Sequence, residues 1–367
     1  MPTWSSTRLP GLADVHVHLR VPGGEHKEDF HSGSAAALAG GFTTLLAMPN
    51  THPPLVTLDT WRAAQRQAHE EALCDVHHFA GASSEHTGEL AALGREAIGL
   101  KIYLDQTFGP LRITGLHTLL ACFYEWPRTR PIAVHAEGLS LALGIGLSAA
   151  CGRSIHFCHV SRKEEIELIA AAKGRGLPIT CEVTPHHLFL SQADLPSLGS
   201  LGDMRPCLAE PADVAALWSH LNTTVDCIAT DHAPHSLEEK RSPQPPPGVP
   251  GLETALPLML TAVAEGRLTL ARLIELMAHN PRRLFGLPHQ AETWVDIDPG
   301  LSYPLSDQGL HTKCGWSPFS GMSVHGRVRR VVLRGKTVFE DGQIIRDTDE
   351  HRSTQMVIFS RRKNVLG

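Results

Sequence analysis

Two histidines separated by one residue follow the first apolar run of the chain. His16 and His18 stand in the stretch Gly11-Leu-Ala-Asp-Val-His-Val-His-Leu-Arg20. On a strand, alternate side chains point to the same face, so His16, His18 and Arg20 share one face. Two neutral imidazoles aimed at one point make half of a zinc site, and a guanidinium beside them can bind an anionic substrate. The plain alternative for so short a pair is two polar residues at a strand edge.

Four further residues that could take part in a metal site fall at or near the ends of later apolar runs. They are Lys101, His135, His159 and Asp231. Four histidines and one aspartate suit two divalent ions, and the majority of imidazoles favours zinc. Lys101 lies inside an apolar run, where an unpaired ammonium is costly and cannot donate a lone pair to a metal. Carbamylation by carbon dioxide would turn it into a carboxylate that bridges both ions, although a strand-end lysine by itself more often predicts a surface charge or a phosphate contact.

A pair of zinc ions would also supply the nucleophile for a hydrolysis. Zinc lowers the pKa of its bound water to about 7, so a hydroxide can exist between two ions at neutral pH. Asp231 could take the proton of this nucleophile and pass it to a leaving nitrogen. The residues therefore predict metal-dependent hydrolysis with Asp231 as the general acid and base.

The candidate ligands are spread over a regular alternation of strands and helices. Strand one carries His16, and the apolar runs that predict strands two to eight are Phe42–Met48, Cys74–Ala80, Gly99–Leu104, Pro131–Glu137, Ser154–Val160, Pro178–Val183 and Val225–Asp231. Eight short, mostly apolar strands between helices predict a closed parallel (β/α)8 barrel of the TIM type, in the α/β class. A doubly wound open sheet is the alternative. In a barrel the active site lies at the carboxyl ends of the strands, where the candidate ligands fall.

A smaller unit is predicted outside the barrel. The barrel is expected to span 12–285, because the pattern from Gly251 to Phe285 is still helical. Beyond it, Arg327–Phe339 predicts a β-hairpin that turns at Gly335 and Lys336. Residues 1–11 and 286–345 are expected to form a small β appendage together, and 346–367 a polar C-terminal tail.

Charge and composition narrow the choice of partners. The 367 residues include 33 basic and 38 acidic side chains, and the net charge of −5 favours a small-molecule partner over a nucleic acid or a membrane surface. The first residues contain no basic segment that leads into an apolar one, and no apolar run is long enough to span a bilayer, so we expect a cytoplasmic location. The eight cysteines are scattered, which predicts reduced and mostly buried thiols.

Several motifs together resemble the binuclear-metal amidohydrolase superfamily and, within it, the dihydroorotases. They are the His-x-His of strand one, the lysine of Gly-Leu-Lys-Ile-Tyr-Leu, the histidines at the ends of strands five and six, and the segments Ala-Met-Pro-Asn and Thr-Asp-His-Ala-Pro-His. The resemblance extends from about Leu9 to Phe339 and includes the dihydroorotase domain of the animal multifunctional pyrimidine-synthesis protein. It implies the reversible cyclisation of N-carbamoyl-L-aspartate to L-dihydroorotate in de novo pyrimidine synthesis.

The resemblance also implies a role for each matching residue. The implied ligands are His16, His18 and Asp231 for one zinc and His135 and His159 for the other, with carboxylated Lys101 between them. The implied substrate contacts are Arg20, Asn50 and His235 for the carboxylate, Arg205, the backbone near Pro247 and Gly248, and Thr107 and Phe108 in a loop that closes over the ligand. A guanidinium that forks onto a carboxylate is consistent with this assignment, while Asn50 after Pro49 equally fits a turn.

Cys158 and His159 are adjacent, and neighbouring residues on a strand point to opposite faces. From the residues alone, Cys158 is therefore expected to be an inert buried thiol. The resemblance implies instead a third zinc that Cys158 binds together with Glu182. His156 shares a face with Cys158 and is expected to be a hydrogen-bonded histidine of the core.

Two other functions stay open. A related cyclic amidase, such as an allantoinase or a dihydropyrimidinase, would share the metal ligands but would not need Arg20 and Asn50 for a carboxylate. A non-catalytic relative would keep the barrel as a scaffold, although all six ligand positions are filled here. The resemblance further implies fusion to, or association with, carbamoyl-phosphate synthetase and aspartate transcarbamoylase modules, and a homodimer is the expected assembly.

Overall fold

Parallel strands form a closed ring at the centre of the molecule. The computed structural model describes residues 6–345, so the predicted tail 346–367 and the first five residues of the predicted appendage lie outside the described residues. After β1 (Thr7–Pro10), the strands of the ring are β2 (Leu12–Val17), β3 (Phe42–Ala47), β4 (Asp75–His78), β5 (Ala80–Gly81), β6 (Leu100–Tyr103), β7 (Ile132–His135), β8 (Ile155–Phe157), β9 (Ile179–Val183) and β10 (Cys227–Ile228).

The order of these strands closes a barrel. Neighbours in sequence are neighbours in space from β2 to β4 and from β5 to β10, and β4 and β5 occupy one position separated by a single residue. A parallel bridge between Val17 and His232 joins the last position to the first, and the His18 amide donates to the carbonyl of His232 at 2.7 Å. The predicted (β/α)8 barrel is confirmed, and the open sheet is excluded.

Helices surround the ring. They are α1 (Phe30–Ala39), α2 (Leu58–Glu71), α3 (Leu90–Glu96), α4 (Leu116–Glu125), α5 (Leu139–Cys151), α6 (Lys163–Gly174), α7 (Pro185–Phe189), α8 (Leu195–Leu198), α9 (Pro211–His220), α10 (Leu237–Lys240), α11 (Leu252–Ala264), α12 (Leu270–Ile274) and α13 (Asn280–Phe285). Local sequence sets several of the starts: Asp29 and Thr57 cap α1 and α2 by accepting from backbone amides of the first turn. None of the helices within residues 6–345 is long and apolar enough to cross a membrane.

The apolar character of the strands reflects burial on both faces. Every residue of β2, β3, β6 and β7 is buried. Their outward side chains pack under the helices, whereas inward side chains such as Val15, Leu46, Phe79 and Ala133 fill the interior of the barrel. This apolar plug ends before the carboxyl ends of the strands, where the inward side chains become polar.

A second, antiparallel sheet contains both ends of the described chain. Its order is β1, β11 (Trp294–Pro304), β12 (Ser323–Leu333), β13 (Lys336–Glu340) and β14 (Gln343–Ile344). The β12–β13 pair is the predicted hairpin, but its turn lies one residue earlier than predicted, at Arg334 and Gly335, which both have positive φ. Lys336 is already the first residue of β13 and pairs with Leu333. The predicted β appendage made of the N-terminal segment and the C-terminal region is thus confirmed, while the boundaries 12–285, 1–11 and 286–345 stay a prediction.

Candidate metal centre and substrate cleft

One wall of the candidate site consists of the two histidines of the opening motif and an aspartate that follows the last strand of the barrel. His16 lies near the end of β2, and Asp231 follows β10, which the closure of the ring brings next to β2. The Oδ1 atom of Asp231 lies 3.3 Å from Nε2 of His16 and 3.1 Å from Nε2 of His18. These three ligand atoms therefore converge, as the spacing predicted.

The other wall consists of the histidines that follow the fifth and sixth barrel strands. Nδ1 of His135, the last residue of β7, lies 2.9 Å from Nε2 of His159. The remaining nitrogen of His135 contacts Oε1 of Glu137 at 3.2 Å. Because the rings of His16 and His159 are 5.1 Å apart, the two walls face each other across a narrow space.

The spacing of these atoms fits metal ions. Two ligands that each lie 2.1 Å from one tetrahedral zinc are about 3.4 Å apart, which is close to the separations in both walls. Nδ1 of His159 is buried without a hydrogen-bond partner among residues 6–345, so the protein groups alone do not satisfy this cluster. The imidazole and carboxylate donors of the two walls can hold divalent cations.

Lys101, on β6, is completely buried next to Cys158, the residue before His159. Its Nζ atom is 2.8 Å from Sγ of Cys158 and 5.1 Å from the centre of the Tyr103 ring. Within the described part of the chain, it forms no ion pair with a carboxylate. A buried amine without a counter-ion at a cluster of metal-ligand side chains is the setting in which conversion to an anionic carbamate would remove an electrostatic cost.

Beneath the first wall lies a further group of potential ligands. Nδ1 of His16 is 2.5 Å from Oε1 of Glu182, and the ligand atoms of His16, Glu182 and Cys158 all lie within 4.8 Å of one another. Cys158 and His159 both face the interior because β8 ends at Phe157 and His159 has a left-handed φ of 34°. The strand alternation that argued against a shared face for Cys158 and His159 therefore does not apply.

His156 makes the contacts expected of a core histidine. Its two ring nitrogens contact Oγ1 of Thr180 at 2.9 Å and Oε2 of Glu182 at 3.1 Å. The residue also packs edge-on against Phe285. His156 thus orients the Glu182 carboxylate from below.

Most of the ligand groups are held in the protonation state that binds cations. Burial lowers the pKa of His18 to about 4 and holds that of His159 well below its usual value, so these rings are neutral. Burial would raise the pKa of Asp231, but His16, His18 and His159 outweigh it and keep this carboxylate ionised.

His16 differs from the other histidines. Burial and Lys101 lower its pKa, but the carboxylates of Asp231 and Glu182, together with Cys158, outweigh them and raise the pKa to about 10. A metal ion bound at His16 would replace the proton that these anions attract.

A cleft of about 420 Å³ opens above the ligand cluster. The predicted site residues that line it are His16, His18, Arg20, Asn50, Thr107, Phe108, His135, His159, Arg205, Asp231, Pro247 and Gly248. His235 lies behind this lining and is fully buried, with Nε2 3.0 Å from Nη2 of Arg20. With the exception of His235, the predicted substrate contacts are therefore gathered around one opening, beside the predicted ligands that line it.

Arg20 supplies the positive charge of the cleft. Its Nε donates to the carbonyl of Pro234 at 3.0 Å, and its Nη2 lies 3.0 Å from Nε2 of His235, so these two contacts fix the guanidinium at the cleft. Burial lowers its pKa to about 10, although Asp231, Glu239 and Glu28 act against this effect, so Arg20 stays a cation at neutral pH. A buried guanidinium at a cleft can bind a carboxylate through two parallel hydrogen bonds.

The loop with Thr107 and Phe108 covers part of the cleft. Nδ2 of Asn50 donates to the Phe108 carbonyl at 2.9 Å, so this amide holds the loop. The Phe108 ring lies over Arg20 and over Nζ of Lys27, at 5.7 and 4.9 Å from its centre. Asn50 is thus not only a turn residue.

Three residues that the sequence reasoning missed also belong to this site. Tyr103 lines the cleft, Glu137 binds the outer nitrogen of His135, and Lys27 contacts Nδ1 of His235 at 3.1 Å. The sequence signal for Tyr103 and Glu137 was their position two residues after Lys101 and His135, on the same strand face. Lys27 lies in a loop before α1, where no periodicity indicates its direction.

A parallel (β/α)8 barrel that gathers histidines, a lysine and an aspartate at or near the carboxyl ends of its strands is typical of the amidohydrolase class of metal-dependent hydrolases. Comparison with known proteins agrees with this class. Residues 7–112 match the family model described as dihydro-orotase-like. Dihydroorotase of Mycobacterium leprae is 35% identical over 375 residues that cover 89% of this chain and 86% of that protein. The chain belongs to the dihydroorotase family.

A longer relative and two solved structures add detail. Multifunctional protein CAD of Squalus acanthias is 50% identical over 92% of this chain, which spans only 15% of that protein. L-hydantoinase (dihydropyrimidinase) of Arthrobacter aurescens has a TM-score of 0.89 and 26% identity, with 93% of this chain and 87% of that chain covered. The inactive dihydroorotase-like domain of a Chaetomium thermophilum CAD-like protein has a TM-score of 0.78 and 27% identity, with 94% and 97% covered.

Proposed function

We propose that this protein is a dihydroorotase, which interconverts N-carbamoyl-L-aspartate and L-dihydroorotate in pyrimidine synthesis. The observation that carries the proposal is the presence, in one cleft, of a cluster of metal-ligand side chains and a buried guanidinium, that of Arg20. The metal-ligand side chains suit the hydrolysis of a cyclic amide. The guanidinium suits the carboxylate that distinguishes dihydroorotate from cyclic amides without a carboxylate. Family membership supports the same reaction.

We propose zinc as the metal, with two ions per chain. The donor set proposed for one ion is His16, His18 and Asp231, and the set for the other is His135 and His159, with carboxylated Lys101 shared between them. The metal pair would supply Lewis-acid activation of water and of the amide carbonyl. Cys158 and Glu182, with His16, form the proposed site of a third ion, because their ligand atoms converge beneath the first wall.

Asp231 is the proposed general acid and base. It is ionised and lies at the floor of the cleft, so it can accept a proton in the hydrolytic direction and return it to the ring nitrogen that leaves. In the reverse direction the same carboxylate accepts the proton from the nitrogen that attacks and returns it to the oxygen that leaves.

The remaining cleft residues would bind and enclose the substrate. Arg20, Asn50 and His235 are the proposed contacts of the carboxylate, with Arg205 and the backbone of Pro247 and Gly248 on the facing side. Thr107 and Phe108 would exclude bulk water from a bound substrate, because their loop lies against Asn50 and Arg20 at the cleft.

The alternatives are less well supported. The fold matches a hydantoinase, but the buried Arg20 would have no anionic group to bind in a ring without a carboxylate. The scaffold hypothesis has a precedent in the inactive Chaetomium domain. In this chain, however, residues suited to all six proposed ligand positions of the two-metal centre are present, and five of them line one cleft: His16, His18, His135, His159 and Asp231.

We also propose an assembly and a location. The match to part of a multifunctional protein supports the action of this chain beside carbamoyl-phosphate synthetase and aspartate transcarbamoylase modules. A homodimer would bury Leu116, Tyr124, Leu139 and Leu143 on α4 and α5, which are between 46% and 91% exposed. All eight cysteines are unpaired, which favours the reducing cytoplasm.

The test is the turnover of dihydroorotate, allantoin and dihydrouracil in parallel by the purified, zinc-replete protein, with metal content measured on the same sample. We expect turnover of dihydroorotate alone. Turnover of only a carboxylate-free ring would favour the related amidase, and no turnover despite bound zinc would favour the scaffold.

A further inference from the structure

Lys240, the last residue of α10, is fully buried beside the cleft and is not part of its lining. Its Nζ donates to three backbone carbonyls: Asp203 at 2.9 Å, Pro246 at 3.1 Å and Gly248 at 3.1 Å. An ammonium has three donors, so this group is saturated. Within residues 6–345 it forms no ion pair with a carboxylate at hydrogen-bond distance, and a buried cation of this kind is costly to keep.

The three carbonyls belong to two adjoining loops at the edge of the cleft. Asp203 lies two residues before Arg205, and Pro246 and Gly248 flank Pro247. The amide of Gly248 also donates to the Asp203 carbonyl at 3.0 Å. Lys240 is therefore the point at which the loop that carries Arg205 is joined to the loop that carries Pro247.

The contacts of Lys240 also fix the direction of the Pro247 carbonyl. The carbonyls on either side of it turn inward to the ammonium, and the Pro247 carbonyl turns away to accept from Nε2 of His235 at 3.0 Å. Gly248 adopts φ +137°, and a Cβ atom there would lie 2.5 Å from the carbonyl oxygen of Ala233. The backbone conformation at this edge of the cleft therefore requires glycine at position 248.

The appendage seals this arrangement from water. The ring of Trp316, in the loop between β11 and β12, lies 5.8 Å from Nζ of Lys240. Its Nε1 donates to the carbonyl of His235 at 2.8 Å. Burial and Arg205 lower the pKa of Lys240 to about 8, while Asp203 acts in the opposite direction.

We propose that Lys240 is a positioning residue for the substrate, because it fixes the Arg205 loop against the Pro247–Gly248 loop. The predicted change in KM rests on the proposed function, whereas the predicted change in hydrogen exchange does not. Without the three hydrogen bonds, the loops would separate, and the groups that face the substrate would lose their common geometry. Because Lys240 touches none of the proposed metal ligands, metal binding should not change.

The test compares Lys240→Met with the wild type in kinetics, metal content and backbone hydrogen exchange. Since misplacement of binding groups by about 1 Å is costly, we expect KM for dihydroorotate to rise about tenfold or more, with kcat within about threefold. Exchange should accelerate at the amides of residues 203–208 and of Gly248 and Val249, which carry the exchangeable amides of residues 245–250 because the other four are prolines. Metal content should stay unchanged. Lys240→Arg keeps the charge but cannot match three carbonyls in the same geometry, so it should move KM in the same direction by less. If Lys240→Met does not fold, the same measurements on Lys240→Arg test the inference.

Lys173→Met is the matched control. Nζ of Lys173 donates to the Thr224 carbonyl and to Asp226, both at 2.7 Å, at the opposite end of the barrel. This variant should lose stability without a change in KM. If Lys240→Met or Lys240→Arg folds with unchanged KM and unchanged exchange in both loops, the inference is wrong. If the wild type does not act on dihydroorotate, the proposed function fails, whereas hydrogen exchange still decides whether Lys240 joins the loops.

Discussion

Single residues at the strand ends combine binding and chemistry in this protein. Asp231 contacts both histidines of the first wall, yet the proposed mechanism also asks it to move a proton. These two roles can be separated, because an amide oxygen can still bind a metal but an amide cannot accept and return a proton at neutral pH.

We predict that Asp231→Asn keeps most of its metal and loses turnover. General acid–base catalysis contributes about 10²- to 10⁴-fold, so kcat should fall by that amount. Metal content per chain and kcat measured on the same preparation provide the test. Asp341→Asn, in an exposed ion pair with Arg329, is the control and should behave like the wild type. Normal turnover by Asp231→Asn would remove Asp231 from the mechanism.

Residue types and spacing were enough to predict much of the site. His16 and His18 share a strand face, and His135 and Asp231 lie at strand ends, so their convergence followed from the barrel. The position of Cys158 could not be derived, because it depends on the left-handed backbone of His159 just beyond β8. Arg20 and Asp231 also have positive φ, and no sequence pattern of non-glycine residues announces such a conformation.

At the scale of elements, the loops and the first turns of helices also connect parts of the molecule around the site. The first turn of α11 holds Glu253, whose carboxylate accepts from the amides of His311 and Thr312 at 2.9 to 3.1 Å. This contact ties the loop between β11 and β12, which also carries Trp316, to the helix after the eighth strand. Burial, chiefly, and Glu28 raise the pKa of Glu253 to about 7, although these two amides lower it.

The raised pKa of Glu253 predicts a pH-dependent stability. In the unfolded chain this carboxyl titrates near its ordinary value of 4.5, so the folded state binds the proton more tightly. The contribution of Glu253 to the free energy of unfolding should therefore increase as pH falls from above 7 towards 4.5. Glu253→Gln cannot titrate and should lack this component.

Urea unfolding of the wild type and Glu253→Gln at two pH values measures the effect. The stability of the variant relative to the wild type should be greater near pH 8 than near pH 5, by on the order of 1–3 kcal/mol. Glu265→Gln, at an exposed position after α11, should show no such difference between the two conditions. If the difference in stability between Glu253→Gln and the wild type is the same at both pH values, the raised pKa of Glu253 is contradicted.

At the scale of the whole molecule, the barrel and the antiparallel sheet act as one support for the cleft. Buried Glu28 contacts Nε2 of His232 at 3.2 Å and accepts from Thr312 and from the amide of Lys313. Because His232 follows Asp231 and closes the barrel, a loop of the appendage is connected directly to the segment that carries the proposed general base. The appendage therefore supports the carboxyl end of the barrel, where the site lies.

The predictability of the fold differs between its two parts. The alternation of buried strands with helices is a local signal, and it was sufficient for the barrel. The pairing of β1 with β11 joins segments almost at opposite ends of the described chain, for example Arg8 with Asp296, and no local pattern specifies such a contact.

The central claim is that bound metal ions make this chain a dihydroorotase. The most direct measurement is to strip the protein of metal with a chelator, add back zinc in steps and record dihydroorotate turnover against metal content. We predict no turnover by the metal-free protein and a turnover that rises with zinc content until about two ions are bound per chain. Binding of a third ion should not raise turnover further. Turnover without metal, or no turnover at full occupancy of a folded protein, would contradict this account.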